Sequence, residues 1–174
     1  MNTPELTLTT PLSAVRTEVR PDVELRRLMD EWEGAIYRFL VSMLRDSDVA
    51  QDCAQDVFLR AYEALSAGKT VNSSWLFTVA RNRAMDEFRR QRRVHPDLEA
   101  IARETTDDST DQRILVDQLM AQLAPVDREV LYLFAVAGFK TDEIGAILGV
   151  RGTAVRQRLY RARERARVLW GDAA

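Results

Sequence analysis

Along most of this chain apolar residues recur at steps of three and four, and no stretch alternates in twos over a useful length. That period belongs to one face of an α-helix, which turns once in about 3.6 residues, and it excludes a half-buried sheet. Leu25, Leu28, Met29, Trp32, Ile36, Phe39, Leu40 and Met43 trace the first such stripe. Ala54, Val57, Phe58, Ala61 and Leu65 trace a second, and Val155, Leu159, Ala162, Ala166 and Leu169 form the last in clean 4-3-4-3 steps. The expected fold is all-α.

Breaks in the pattern divide the chain. Arg45-Asp46-Ser47-Asp48 interrupts the first stripe and offers N-caps for a second helix over roughly 48–66. Ser73 or Ser74 is the expected cap of a third, running from Trp75 to about Val94, where His95-Pro96 ends it because proline disfavours helix at the residue before it. Residues 95–111 hold six acids against one arginine, with a Thr-Thr-Asp-Asp-Ser-Thr run, which is linker composition. Periodicity resumes at Ile114, Leu115, Leu119 and Leu123. Pro125 opens a helix stopped by Gly138, Thr141 is the expected cap of a short one carrying Ile144, Ile147 and Leu148, and a turn at Gly149-Val150-Arg151-Gly152 leads into the last. This gives a flexible tail over 1–21, a helical domain over 22–94, an acidic flexible linker over 95–111 and a second helical domain over 112–172. Each domain is small enough to be modestly stable alone.

Most enzyme chemistry lacks the residues it needs. The 174 residues include one cysteine, Cys53, which excludes a disulfide framework and a Cys-based zinc cluster, and one histidine, His95, whose place directly before Pro96 leaves a His-Cys metal site or a Ser-His-Asp triad almost nothing to be built from. The seven glycines show no phosphate-loop spacing. Neither a membrane-spanning run nor a signal segment is legible, and no catalytic residue, metal or cofactor is expected.

The net charge of −2 conceals a strong asymmetry. Arg81 to Arg93 holds six arginines and two acids, and Arg151 to Arg167 seven arginines and one glutamate; the rest of the chain carries −12. Two focused cationic segments on an acidic chain point to nucleic acid. Arginine supplies 23 of the 25 basic side chains, which suits phosphates and base edges, although a GC-rich genome gives the same bias.

A helix, a turn around Gly149 and a longer basic helix make a helix-turn-helix, in which the first helix braces the second in the major groove. Thr153, Ala154, Arg156, Gln157, Arg158 and Arg161 lie off the apolar stripe in its early turns. Arginine pairs bidentately with guanine, glutamine with adenine, and a methyl group packs on thymine. Arg163, Arg165 and Arg167 lie further along, where phosphate is the expected contact. The alternative for either basic segment is an ordinary solvated helix face.

The wording "DVAQDCAQDVFLRAYEAL", then "WLFTVARNRAMDEFRRQRR", and after the acidic spacer "APVDREVLYLFAVAGFKTDEIGAILGV" and "VRQRLYRARERAR", closely resembles an extracytoplasmic-function (ECF) sigma factor of bacterial RNA polymerase over about residues 22–170. The resemblance implies a promoter-recognition subunit with no bond chemistry of its own, acting in the cytoplasm. Residues 22–94 would be sigma domain 2 and 112–172 sigma domain 4. Its implied partners are core RNA polymerase, through the clamp and flap, promoter DNA and an anti-sigma factor. Asp52, Gln55, Asp56, Leu59 and Arg60 would dock on the clamp of the largest core subunit; Asp56 stands where the family usually has glutamate. Lys69, Asn72 and Ser73, with Arg81, Asn82, Arg83, Asp86, Arg89, Arg90 and Arg93, would read the minus-ten element. Thr153, Ala154, Arg156, Gln157, Arg158, Arg161 and Arg165 would meet the minus-thirty-five element, although Arg151 departs from the family's usual turn and leaves the helix register open. Two other classes remain: a stand-alone helix-turn-helix regulator, which would bind duplex DNA tightly without polymerase, and an adaptor with no DNA role.

Overall fold

The computed structural model describes residues 20–94 and 122–171, and in them six helices and no strand. They are α1 (Pro21–Leu44), α2 (Ser47–Ser66), α3 (Ser73–Val94), α4 (Pro125–Ala135), α5 (Thr141–Leu148) and α6 (Gly152–Gly171). The tail to residue 19, the acidic linker with His95, and Ile114, Leu115 and Leu119 lie outside the described residues, as do the side chains of Arg92, Ala166 and Leu169.

Local chemistry sets the helix ends. Asp46 accepts from the Val49 N–H at 3.1 Å and so satisfies one of the orphan donors at the start of α2. Gly68, at φ +73°, terminates α2 in the left-handed region, and the Lys69 N–H reaches back to the Ala64 carbonyl at 2.9 Å. The cap of α3 is neither Ser73 nor Ser74 but Asn72, whose Oδ1 accepts from the Trp75 N–H at 2.9 Å. Both serines lie inside the helix because the amide one residue earlier satisfies its first turn. Similarly, Thr141 lies within α5, and the Glu143 carboxylate accepts from the Lys140 N–H at 2.7 Å.

Helices α1, α2 and α3 pack on one another, as do α4, α5 and α6. Phe39, Phe77, Ile36, Leu40 and Leu76 are fully buried in the first group, as are Val130, Leu133, Ile144 and Val155 in the second. Phe58 is buried, while Trp75 is only half-buried. Cys53 is also buried; desolvation pushes its thiol above the usual range, which makes it an inert apolar filler.

The two groups do not sit apart. Helix α4 lies against α1 and α5 against α3, and one apolar core runs through both. Phe139, following Gly138 at φ +74°, stacks on Trp32 with centroids 6.5 Å apart and meets Phe77 edge-on at 5.2 Å.

Candidate polymerase and promoter interfaces

One face of α2 is left uncovered by the core. Ala50, Cys53, Ala54, Val57, Phe58 and Ala61 point inward, so Asp52, Gln55, Leu59 and Arg60 are exposed on the other side. Leu59 is 58% exposed, and Tyr62, one turn on, is 44% exposed. Sequence reasoning missed Tyr62; its spacing of three from Leu59 was the available signal. A large apolar pair on an otherwise acidic helix face has the makeup of an interface core. Asp56 is less available than its neighbours, because its carboxylate holds Arg83 Nη2 at 2.6 Å.

The Asp56–Arg83 ion pair lies in a groove of about 540 Å³ between α2 and α3, walled also by Asp52, Gln55, Asp86 and Glu87. Asp56→Arg would therefore set two guanidiniums together and disturb the groove as well as the outer face. Leu59 is the cleaner probe of docking.

Ion pairs hold most of the first basic segment. Arg89 bonds Asp86 at 2.8 Å, and Arg90 bonds Glu87 at 2.8 and 2.9 Å, a contact that holds the Glu87 carboxyl below its usual range. Arg83 is taken by Asp56 from α2, and Arg81 Nε by Glu129 from α4 at 2.6 Å. Arg81 and Arg83 therefore do not stand open to DNA here, because carboxylates from other helices reach them. Burial pushes the Glu129 carboxyl up, partly offset by Arg81 beside it. Asn82 and Arg93 are exposed, as is Lys69; Ser73 is half-buried, and Asn72, though exposed, gives its Oδ1 to the cap. Exposed ion pairs of this kind are worth about 0–1 kcal/mol, so phosphate can displace those at the surface.

The second basic segment is presented by a tight turn. A Cβ at Gly145 would stand 2.7 Å from the Val150 carbonyl oxygen and 3.2 Å from the Gly152 nitrogen, so α5 meets the start of α6 backbone to backbone. The Arg151 carbonyl accepts from the Ala154 and Val155 N–H groups at 2.9 and 3.2 Å, so α6 begins at Gly152. Val155, Leu159 and Ala162 are buried. Thr153, Arg156, Gln157 and Arg161 are exposed, and Arg158 is half-buried. Ala154 is also half-buried, so it presents less of its methyl than the stripe implied. Tyr160, 67% exposed between these arginines, is an unforeseen member of the set.

Further along, the expected phosphate contacts are already engaged within the protein. Arg165 bonds Asp127 of α4 at 2.7 Å, and Arg163 lies over the Phe134 ring, 5.0 Å from its centroid. Both tie α6 to α4. Among the described residues there is no group of three or more His, Cys, Asp or Glu able to hold a metal, and no helix long and apolar enough to cross a membrane.

Comparison with known proteins gives the family. Residues 28–94 match Sigma-70 region 2, and residues 113–165 match Sigma-70 region 4. The chain is 36% identical over 143 residues to the RNA polymerase sigma factor CarQ of Myxococcus xanthus, covering 77% of this chain and 82% of that protein. It is 31% identical over 148 residues to the ECF RNA polymerase sigma factor SigL of Mycobacterium tuberculosis, covering 79% and 84%. The fold also matches that of the sigma factor RpoE of Bartonella quintana, solved in complex with the anti-sigma factor NepR, with a TM-score of 0.72, 23% identity, and 85% of this chain and 97% of that one covered. The chain belongs to the ECF sigma factors, non-enzymatic subunits that direct promoter-specific transcription initiation by RNA polymerase.

Proposed function

We propose that the exposed face of α2 docks on the clamp of the largest core-polymerase subunit, with Leu59 and Tyr62 as the apolar centre and Asp52, Gln55 and Arg60 as its polar surround. The Leu59–Tyr62 pair carries this reading: two large apolar side chains, 58% and 44% exposed and one turn apart on a helix, make a contiguous apolar spot with a polar surround, the makeup of an interface centre. In the same scheme residues 22–94 act as sigma domain 2, whose α3 reads the minus-ten element through Asn82 and Arg81 and helps open the duplex at the upstream edge of the bubble. Residues 112–172 act as sigma domain 4, whose α6 reads the minus-thirty-five element beside the polymerase flap. The protein works in the cytoplasm with the polymerase, and an anti-sigma factor, like the NepR bound to Bartonella quintana RpoE, keeps it in check.

Leu59→Glu is expected to lower affinity for core polymerase at least about tenfold, since loss of a central interface contact costs about 2 kcal/mol or more. Thermal stability should stay within about 0.5 kcal/mol of the parent, because the side chain is exposed. A pull-down of core subunits with a parallel melting curve measures both, and unchanged capture would remove this face from the interface.

Base reading and backbone positioning separate along α6. Gln157 is exposed in its second turn, whereas Arg165 is bonded to Asp127. Gln157→Ala is expected to change preference at one or two positions of the upstream element by roughly 1–3 kcal/mol. Arg165→Ala should weaken all upstream sequences alike. Binding of holoenzyme to a library randomised at both elements distinguishes them. An intact upstream preference in Gln157→Ala would mean that α6 enters in another register.

A further inference from the structure

We propose that Asp142, on the bracing helix α5, is a positioning residue for base reading: its carboxylate fixes Arg156 of α6 so that the guanidinium selects guanine in the upstream element. This inference deepens the assignment of α6 to that element and rests on it.

The tight turn brings the two side chains together. Gly145 lets α5 meet the start of α6 backbone to backbone, and that approach carries Asp142, one turn earlier on α5, over Gly152. A Cβ at Gly152 would collide with Asp142 Oδ1, so the bare Cα is what gives the carboxylate its seat. Gly152 opens α6, where the first-turn N–H groups lack helical partners and a negative charge is favoured. Arg156 lies four residues on, along the same face of α6, with Nη1 4.0 Å from Asp142 Oδ1. The Asp142 side chain is 88% exposed and that of Arg156 57%. Both therefore stand at the surface beside the early turns of α6, where a recognition helix meets base edges.

A carboxylate at that edge is repelled by DNA phosphates, and in water an exposed ion pair adds little to stability. In the groove the balance changes. Duplex displaces water from around the pair, and the attraction between the two charges strengthens as the surrounding dielectric falls. With Nη1 turned to Asp142, the Nε–Nη2 edge of Arg156 presents two parallel donors, the pattern that meets guanine O6 and N7. An arginine without such a brace keeps its rotamer freedom and reaches phosphates as well as bases. Asp142 thus lowers overall affinity and raises discrimination, and its removal should move the two in opposite directions.

The test measures binding of holoenzyme carrying the full chain to duplexes with each base in turn at every position of the upstream element, with a thermal melt of each variant alongside. Arg156→Ala should flatten a guanine preference at one position, by roughly 5–150-fold for a lost bidentate contact. Asp142→Ala should flatten that same position by about threefold or more, a fraction of the full contact. It should leave the other positions as they were and bind duplex lacking the element at least as tightly as the parent does. With Arg156→Ala already present, Asp142→Ala should change no preference further. Parental preference in Asp142→Ala, while Arg156→Ala flattens its position, overturns the positioning role and leaves the reading by α6 standing. Equal weakening of all sequences with a lowered melting midpoint overturns it too, since the carboxylate then only holds the turn. Loss of preference at a second position in the double variant also overturns it, by making Asp142 a base reader itself. If Arg156→Ala leaves every upstream position intact, base reading by Arg156 fails and the inference falls with it.

Discussion

Replacing Phe77 with alanine is expected to cost about 3–5 kcal/mol of stability, the usual penalty for emptying a fully buried aromatic site. Phe77 is 0% exposed, and its ring lies 5.4 Å from Phe39, 5.2 Å from Phe139 and 6.1 Å from Trp32, measured between centroids. Those neighbours come from α1 and the α4–α5 turn, while Phe77 itself stands on α3, so no single helix can shift to fill the space. Against a typical total of about 5–15 kcal/mol the loss is large. At roughly 2–4 °C per kcal/mol for a chain of this size, the melting midpoint should fall by about 6–20 °C. A thermal melt followed by circular dichroism reads it; a shift no larger than that of a surface change would contradict this packing.

The second large effect lies in the helix-turn-helix. Gly145→Val sets a branched side chain where even a Cβ stands 2.7 Å from the Val150 carbonyl oxygen and 3.2 Å from the Gly152 nitrogen. Both are backbone atoms and cannot swing aside as a flexible side chain would. Overpacking of this kind costs about 1–3 kcal/mol, and the helix-forming gain over glycine, about 0.5 kcal/mol, does not offset it. The turn should open and α6 should lose its brace. Transcription that depends on the upstream element should then fall, while capture of core polymerase by the α2 face persists. A variant with parental upstream preference and parental melting would show that the tight turn is not needed.

The sequence was most legible where information is local. The Val155–Leu159–Ala162 stripe, the inward side of α2 and the Asp46 cap all follow from spacing and residue type, because a helix face is decided by neighbours three and four positions away. Asn72 as the cap of α3 was one residue from the expected serines, a boundary that several polar residues in a row leave ambiguous. What periodicity could not carry was pairing between distant elements. Arg81 with Glu129, Arg128 with Ser42 and Tyr132 with Ala35 join residues 48, 86 and 97 positions apart. For the same reason charge counted within a window overstated the open cation on α3, since Asp56 and Glu129 arrive from elsewhere. The exposed aromatics Tyr62 and Tyr160 went unread because an aromatic at helical spacing usually points inward.

The most direct measurement of the central claim is run-off transcription with core polymerase on a template library randomised at both promoter elements. The parent chain should raise promoter-dependent transcripts above core alone and select one pair of elements. Asn82→Ala should then alter only the downstream preference, and Gln157→Ala only the upstream one. Transcripts no more selective than those of core polymerase alone, or the same element changed by both substitutions, would contradict the account.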